Sequence, residues 1–219
     1  MFEVKQIKNQ PIDSNCYVIY DKAFGNGCII VDPGSEDNSH LYGLLNSEGL
    51  NPQYIILTHE HFDHCWGVND LREKYPNVKI ACSILCSDAI QHKKMNYSVF
   101  YRQPGFELAA ADIILETINW EMNWNNNIIR FVPAQGHSAA GIIIFIDKYL
   151  FTGDTLIKDV KTVTKLKTAS KEKLVETITL LEKEKGNNFI VCPGHGEMFN
   201  LDGYDMNHSF CYHCNKVST

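Results

Sequence analysis

Short apolar runs alternate with helical patterns along the whole chain. Residues 2–8 alternate apolar and polar, and continuous apolar runs follow at 16–20 and 27–31, which predicts three strands. Asp32-Pro33-Gly34 makes a turn, and 39–48 reads as a helix closed by Gly49. A buried strand is predicted at 54–57, a helix at 68–75 stopped by Pro76, a strand at 78–81 and a helix at 84–94. Residues 95–127 are the least regular part. Strands are then expected at 128–132, 142–146 and 149–152, a helix at 171–185 and a last strand at 189–192. Strands in both halves, interspersed with helices, point to a layered α/β architecture with helices on the outer sheet faces. No linker divides the chain, so 1–219 reads as one domain, with 206–219 as a C-terminal tail.

Composition narrows the classes. The chain has 219 residues, 44% of them hydrophobic, enough for one core-forming domain. Its formal charge of −6, with no basic arm or stripe, argues against nucleic acid or an anionic membrane as partner. The first residues, Met1-Phe2-Glu3-Val4-Lys5, lack the apolar run of a signal peptide, and the longest apolar stretch, 142–146, is too short to cross a bilayer. A soluble, cytoplasmic protein is therefore expected, with its eight cysteines reduced. Cys16, Cys28 and Cys192 sit in apolar strand-like runs, while Cys82 and Cys86, four apart, are expected to share a buried helix face.

The chemistry is concentrated at strand ends. Directly after the strand at 54–57 comes Thr58-His59-Glu60-His61-Phe62-Asp63-His64. Each buried imidazole needs its own partner, which a metal can supply for several at once. A histidine-rich surface turn is the plain alternative for this segment alone. Three more segments repeat the design: a buried strand, a glycine turn, then His137, Asp154 or His195. Singly, each could be a satisfied core histidine or a capping aspartate, but four such strand ends in one chain favour a shared site. Seven donors exceed one tetrahedral zinc site and suit two divalent metal ions sharing a carboxylate. His59, His61 and His137 are assigned to one ion, Asp63, His64 and His195 to the other, with Asp154 bridging.

In this order, His-x-His-x-Asp-His followed by separate His, Asp and His ligands, the sequence resembles the metallo-β-lactamase superfamily. The likeness extends to Ser14-Asn15-Cys16-Tyr17, Ile30-Val31-Asp32-Pro33-Gly34, Phe151-Thr152-Gly153-Asp154-Thr155-Leu156 and Pro193-Gly194-His195-Gly196. It implies a four-layer αββα sandwich with the metals at one edge, and hydrolysis in which metal-activated hydroxide attacks a carbonyl. Asp63 is nominated as the catalytic residue that orients this nucleophile, although a purely ligating role fits equally. The aspartate at position 154 and the segment 153–178 resemble the glyoxalase II-like branch, which implies a small-molecule ester or thioester substrate, a hydroxyacyl-thiol foremost. Zinc is the first expectation, with iron or manganese open.

The sequence also departs from that branch. Thr162-Val163 stands where small members often carry Gly-Arg, Cys65-Trp66-Gly67 lacks the usual second glycine, and glutathione-binding residues cannot be carried over. Lys158, Lys161 and Lys165 could substitute charge, or form a solvated face. Tyr97, Phe100, Tyr101, Phe106, Trp120 and Trp124 could wall a pocket, with core packing the commoner fate. In the tail, His208, Cys211, His213 and Cys214 are read as a docked or frayed end in preference to a zinc site. Two rivals stand: a mononuclear iron persulfide dioxygenase-like oxidoreductase, and a lactonase- or β-lactamase-type hydrolase. A non-catalytic scaffold is disfavoured because none of the seven ligands is missing. Flavodiiron proteins, with a glutamate at the place of His61, do not match, and phosphate-binding motifs of nuclease branches are not found.

Overall fold

A strand that is apolar on both faces must be covered on both faces, and side-chain alternation decides which layer each residue enters. The computed structural model describes residues 2–115 and 120–208. Strands β1 (Glu3–Lys8), β2 (Asn15–Tyr20), β3 (Gly27–Val31), β4 (Asn51–Ile56), β5 (Lys79–Cys82) and β6 (Ile113–Ile114) form one sheet in sequence order. Strands β7 (Trp120–Trp124), β8 (Asn127–Pro133), β9 (Ile142–Ile146), β10 (Tyr149–Gly153), β11 (Ile190–Pro193) and β12 (Phe199–Asn200) form the other, in the order β12-β11-β10-β9-β8-β7. The helices are α1 (Ser39–Glu48), α2 (Phe62–Cys65), α3 (Val68–Lys74), α4 (Ile84–Ile90), α5 (Ser98–Tyr101) and α6 (Lys171–Lys183).

Three apolar layers result. On β2, Tyr17 and Ile19 enter the space between the sheets, where they meet Ile144, Ile146 and Phe151. Their neighbours Cys16, Val18 and Tyr20 face the other way, against Leu41, Leu45 and Leu71 of α1 and α3. On β9, Ile143 and Phe145 turn outward to Leu174, Ile178 and Leu181 of α6. The architecture is thus the expected αββα sandwich. No helix among the described residues is long and apolar enough to cross a membrane.

The topology gathers strand ends along one edge. Strands β3 and β4 are parallel neighbours, as are β10 and β11, so their carboxyl ends lie side by side. The sheets are tied together at that edge by Asn15 N–H to the Gly194 carbonyl at 2.7 Å and Ile142 N–H to the Thr58 carbonyl at 2.9 Å.

Three expectations change. Helix α4 ends at Ile90, not at 94, because the apolar period lapses at His92-Lys93-Lys94. The chain there folds into a turn anchored by buried Asn96, whose amide donates to the Phe106 carbonyl at 2.9 Å. Cys82 and Cys86 are both buried in the core, but Cys82 ends β5 and does not share a helix with Cys86. The irregular 95–127 region contains α5, β6 and β7; in β7 the alternation Trp120, Met122, Trp124 is a strand signal, and Asn125-Asn126, both at positive φ, make the two-residue turn to β8. The tail reading rests largely on 209–219, outside the described residues, although Met206 is buried against Phe199 and Tyr204 in the α6 layer. Cys211, His213 and Cys214 of the weighed zinc motif lie outside them too.

Phe151, fully buried between the sheets and edge-on to Tyr17 at 5.3 Å, directly precedes the Thr152-Gly153-Asp154 turn. Phe151→Ala is expected to lower unfolding free energy by about 3–5 kcal/mol, read from urea denaturation.

Candidate metal centre

Each of the seven candidate ligands follows a strand that can hold it still. Past β4, Leu57 and Thr58 lead to His59 and His61, and α2 then carries Asp63 and His64. His137 lies in the connection from β8 to β9, Asp154 follows the last residue of β10, and His195 comes two residues after β11. The fold brings all seven to one edge.

Two groups form there. His61 Nδ1 lies 3.1 Å from His59 Nε2 and 3.1 Å from His137 Nε2. Two nitrogens each about 2.0–2.1 Å from a zinc ion at the tetrahedral angle would stand about 3.3 Å apart, so this trio has the spacing of a ligand set. In the second group, Asp63 Oδ2 is 3.3 Å from His195 Nε2 and 3.6 Å from His64 Nε2. Asp154 reaches both: its Oδ2 is 3.6 Å from His137 Nε2 and 3.6 Å from His195 Nε2, and its Oδ1 is 3.4 Å from His64 Nε2.

Hydrogen bonds on the outer side of the rings dictate which nitrogen points inward. His59 Nδ1 lies 3.0 Å from Thr58 Oγ1, which itself donates to Asp32 Oδ2 at 2.6 Å, leaving its lone pair for the imidazole N–H. His64 Nδ1 meets Asp32 Oδ2 at 3.1 Å, His137 Nδ1 the Val163 carbonyl at 3.0 Å, and His195 Nδ1 the Asp13 carbonyl at 2.8 Å. These acceptors require Nδ1–H, so four Nε2 lone pairs face the centre. His64 Nε2 and Asp154 Oδ1 are buried with no hydrogen-bond partner. Inward-facing imidazole nitrogens beside two carboxylates are what a divalent cation satisfies, so the residues fit one in each group.

Burial and neighbouring charge act together on His59 and His61 and against each other on His64 and Asp154. Burial, and then the neighbouring imidazoles, push His59 well below the ordinary histidine range. Burial, with His137 next to it, lowers His61 to about 3. Both rings are therefore neutral, as ligation requires. Burial opposes charge on His64 as well, but Asp63, Asp154 and Asp32 around it hold it well above the usual range. Asp154 is held well below the usual carboxylate range by His64, His59 and His137 despite its burial.

Close backbone approach makes room for this. A side chain at Gly194 would overlap Asp154 Oδ1 and meet His64 Cε1 at 2.8 Å. Gly34 lies so near the Asp63 carbonyl that a Cβ there would overlap it. Ser14 Oγ donates to that same carbonyl at 2.5 Å.

The ligand pattern did not single out Asp32. Its carboxylate accepts from Thr58 N–H at 2.8 Å, Thr58 Oγ1 and His64 Nδ1, and so orients two ligands from behind. Asp32, His59 and His64 are also close enough to hold an ion, but these hydrogen bonds already occupy the Asp32 oxygens. The available signal was its place: like Asp154 and His195, it stands directly at a strand end beside a glycine turn. The aromatic residues divide. Tyr97, at φ +65°, packs edge-on against His61 at 5.0 Å, and Tyr101 stacks on Phe62 at 4.8 Å, while Phe100 is 71% exposed. Trp120 and Trp124 instead pack between the sheets. Lys161 and Lys165 are exposed on either side of Val163, whose carbonyl holds His137.

Comparison with known proteins agrees with this geometry. Residues 9–195 match the family model of the metallo-β-lactamase superfamily. Hydroxyacylglutathione hydrolase 1 of Vibrio vulnificus is 28% identical over 145 residues, covering 66% of this chain and 48% of that protein, so the chain spans about half its length. An uncharacterized protein of Mycobacterium leprae is 24% identical over 196 residues, 84% of this chain and 87% of its own. The crystal structure of the BLEG-1 B3 metallo-β-lactamase superposes with a TM-score of 0.84 at 26% identity, covering 94% of this chain and 98% of that one.

Two variants test the support of the centre. Asp32→Asn removes the charged acceptor behind His59 and His64, and is expected to weaken metal binding about 10–100-fold in competition with a chromophoric chelator. Gly194→Ala is expected to displace Asp154 and His64 and reduce bound metal in elemental analysis, while the far-ultraviolet circular dichroism stays that of the folded chain.

Proposed function

The chain belongs to the metallo-β-lactamase superfamily, and from that premise we propose that it is a dinuclear metal-dependent hydrolase of small carbonyl substrates, a hydroxyacyl thioester foremost. The observation that carries this reading is Asp154, whose carboxylate lies within 3.6 Å of a donor nitrogen in each trio. Bound divalent ions would supply Lewis acidity, bringing the pKa of water towards neutrality and polarising the substrate carbonyl. Imidazole and carboxylate donors suit zinc first, and iron or manganese as well.

The chain's own groups account for the remaining steps. Asp63 sits at the rim of the second trio, its Oδ2 directed between His64 and His195. From there it orients the attacking water and accepts its proton, which then passes to the departing thiolate sulfur as the carbon–sulfur bond breaks. Tyr97 and the Phe62–Tyr101 pair offer an apolar wall beside His61 for the acyl group. Lys161 and Lys165 put positive charge on the loop whose Val163 carbonyl holds His137, suited to an acidic thiol carrier.

The thioester reading is supported by the likeness to a hydroxyacylglutathione hydrolase and by a carboxylate, not a thiol, at position 154. A second reading, hydrolysis of a β-lactam amide, is supported by the likeness to a B3 metallo-β-lactamase over nearly the whole chain. Both place a carbonyl carbon at the same centre, and a substrate panel separates them.

Metal-replete protein is expected to release free thiol from hydroxyacyl-glutathione-type thioesters and to lose that activity on chelation. Asp63→Asn is expected to reduce kcat about 10²–10⁴-fold. No thiol from any thioester tested sinks the substrate assignment. A single iron with oxygen uptake replaces hydrolysis with oxidation.

A further inference from the structure

Four of the five histidines at the centre have their outer nitrogen fixed by an acceptor, and His61 differs. It turns Nδ1 toward His59 and His137, so Nε2 faces away, buried with no hydrogen-bond partner. Glu60 Oε1 stands 3.9 Å from that nitrogen, just too far for a hydrogen bond. Glu60 is only 2% exposed, and its Oε2 accepts from Ser138 Oγ at 2.6 Å. Ser138 directly follows His137, and its Oγ also accepts from Ala140 N–H at 2.9 Å. A buried carboxylate is therefore anchored on the segment that carries one ligand of the trio, while belonging to the segment that carries the other two.

We propose that Glu60 is a positioning residue for His61, accepting its Nε2–H once an ion draws the three inner nitrogens together. This rests on the metal-centre reading. A shift of about 1 Å brings the pair within hydrogen-bonding range. The contact gives His61 the outer acceptor that its four counterparts already possess, and it links His59, His61 and His137 through one side chain. A carboxylate behind a ligating imidazole also makes the inner nitrogen a stronger donor.

In zinc-loaded wild-type protein, long-range ¹H–¹⁵N spectra are expected to show zinc on His61 Nδ1 and a slowly exchanging proton on Nε2. Glu60→Met, which keeps the length but not the acceptor, is expected to weaken binding of the ion held by the three histidines about 10–100-fold in chelator competition. It should also shift the visible bands of the cobalt-substituted protein. Glu60→Gln, which retains an acceptor oxygen, should recover most of that affinity. Ser138→Ala removes the anchor but leaves Oε1, so its loss should be the smaller. Unchanged affinity and bands in Glu60→Met, or equal losses in Ser138→Ala and Glu60→Met, overturn the proposal. Should Glu60→Met not fold, the wild-type spectrum decides: a freely exchanging or absent Nε2 proton is fatal. Failure of the wild type to bind zinc or cobalt sinks the metal-centre reading itself, whereas an indifferent Glu60→Met sinks only the role of Glu60.

Discussion

Five imidazoles and two carboxylates crowd one largely buried edge of this protein, and their mutual arrangement is the constraint on which the site depends. Lone pairs forced together in a low-dielectric setting are unfavourable unless a cation lies between them. They are nevertheless held in place by acceptors behind the rings: Thr58 and Asp32, the Val163 carbonyl, and the Asp13 carbonyl. Those acceptors come from segments spread across most of the chain. The preference for metal is thus a property of the whole fold.

The sandwich supplies the rigidity this needs. Residues on β2 and β9 alternate between two apolar layers, so a slip by one position would send each side chain into the layer shaped for its neighbour. Parallel pairing of β3 with β4 and of β10 with β11 puts the ligand-bearing turns next to one another. Backbone hydrogen bonds between the sheets at that edge then fix the distance between the two halves. Glycine at 34 and 194 permits the last close approach, where any side chain would occupy the place of a ligand.

The walls around the centre are built differently from the centre itself. Tyr97 and Tyr101, which pack on His61 and on Phe62 of α2, come from the stretch after α4, and Val163 with its flanking lysines from the connection between β10 and α6. These segments lie outside the sheets, and Val163 holds His137 through its backbone carbonyl, so side chains there can vary with less effect on the candidate ligands than changes in the strands. A scaffold of this kind can carry different chemistries, and on the proposed reading substrate choice belongs to the walls.

The sequence by itself determined much. The apolar runs gave most of the two sheets, and the segments just past their ends gave the order and identity of the candidate ligands, because a donor or a donor cluster comes soon after each of four strands. A donor or donor cluster close behind a strand end is a local pattern, and local patterns survive in one dimension. Other features were not legible. Asp32 and Glu60 looked like ordinary acidic residues, since what distinguishes them is a partner distant in sequence or facing a neighbouring ring. The same holds for the tryptophans of β7, read with the irregular region but packed between the sheets. Only the tertiary structure decided which nitrogen of His64, His137 and His195 turns inward, because that choice belongs to acceptors 32, 26 and 182 residues away, and at His59 to a Thr58 hydroxyl that the distant Asp32 orients.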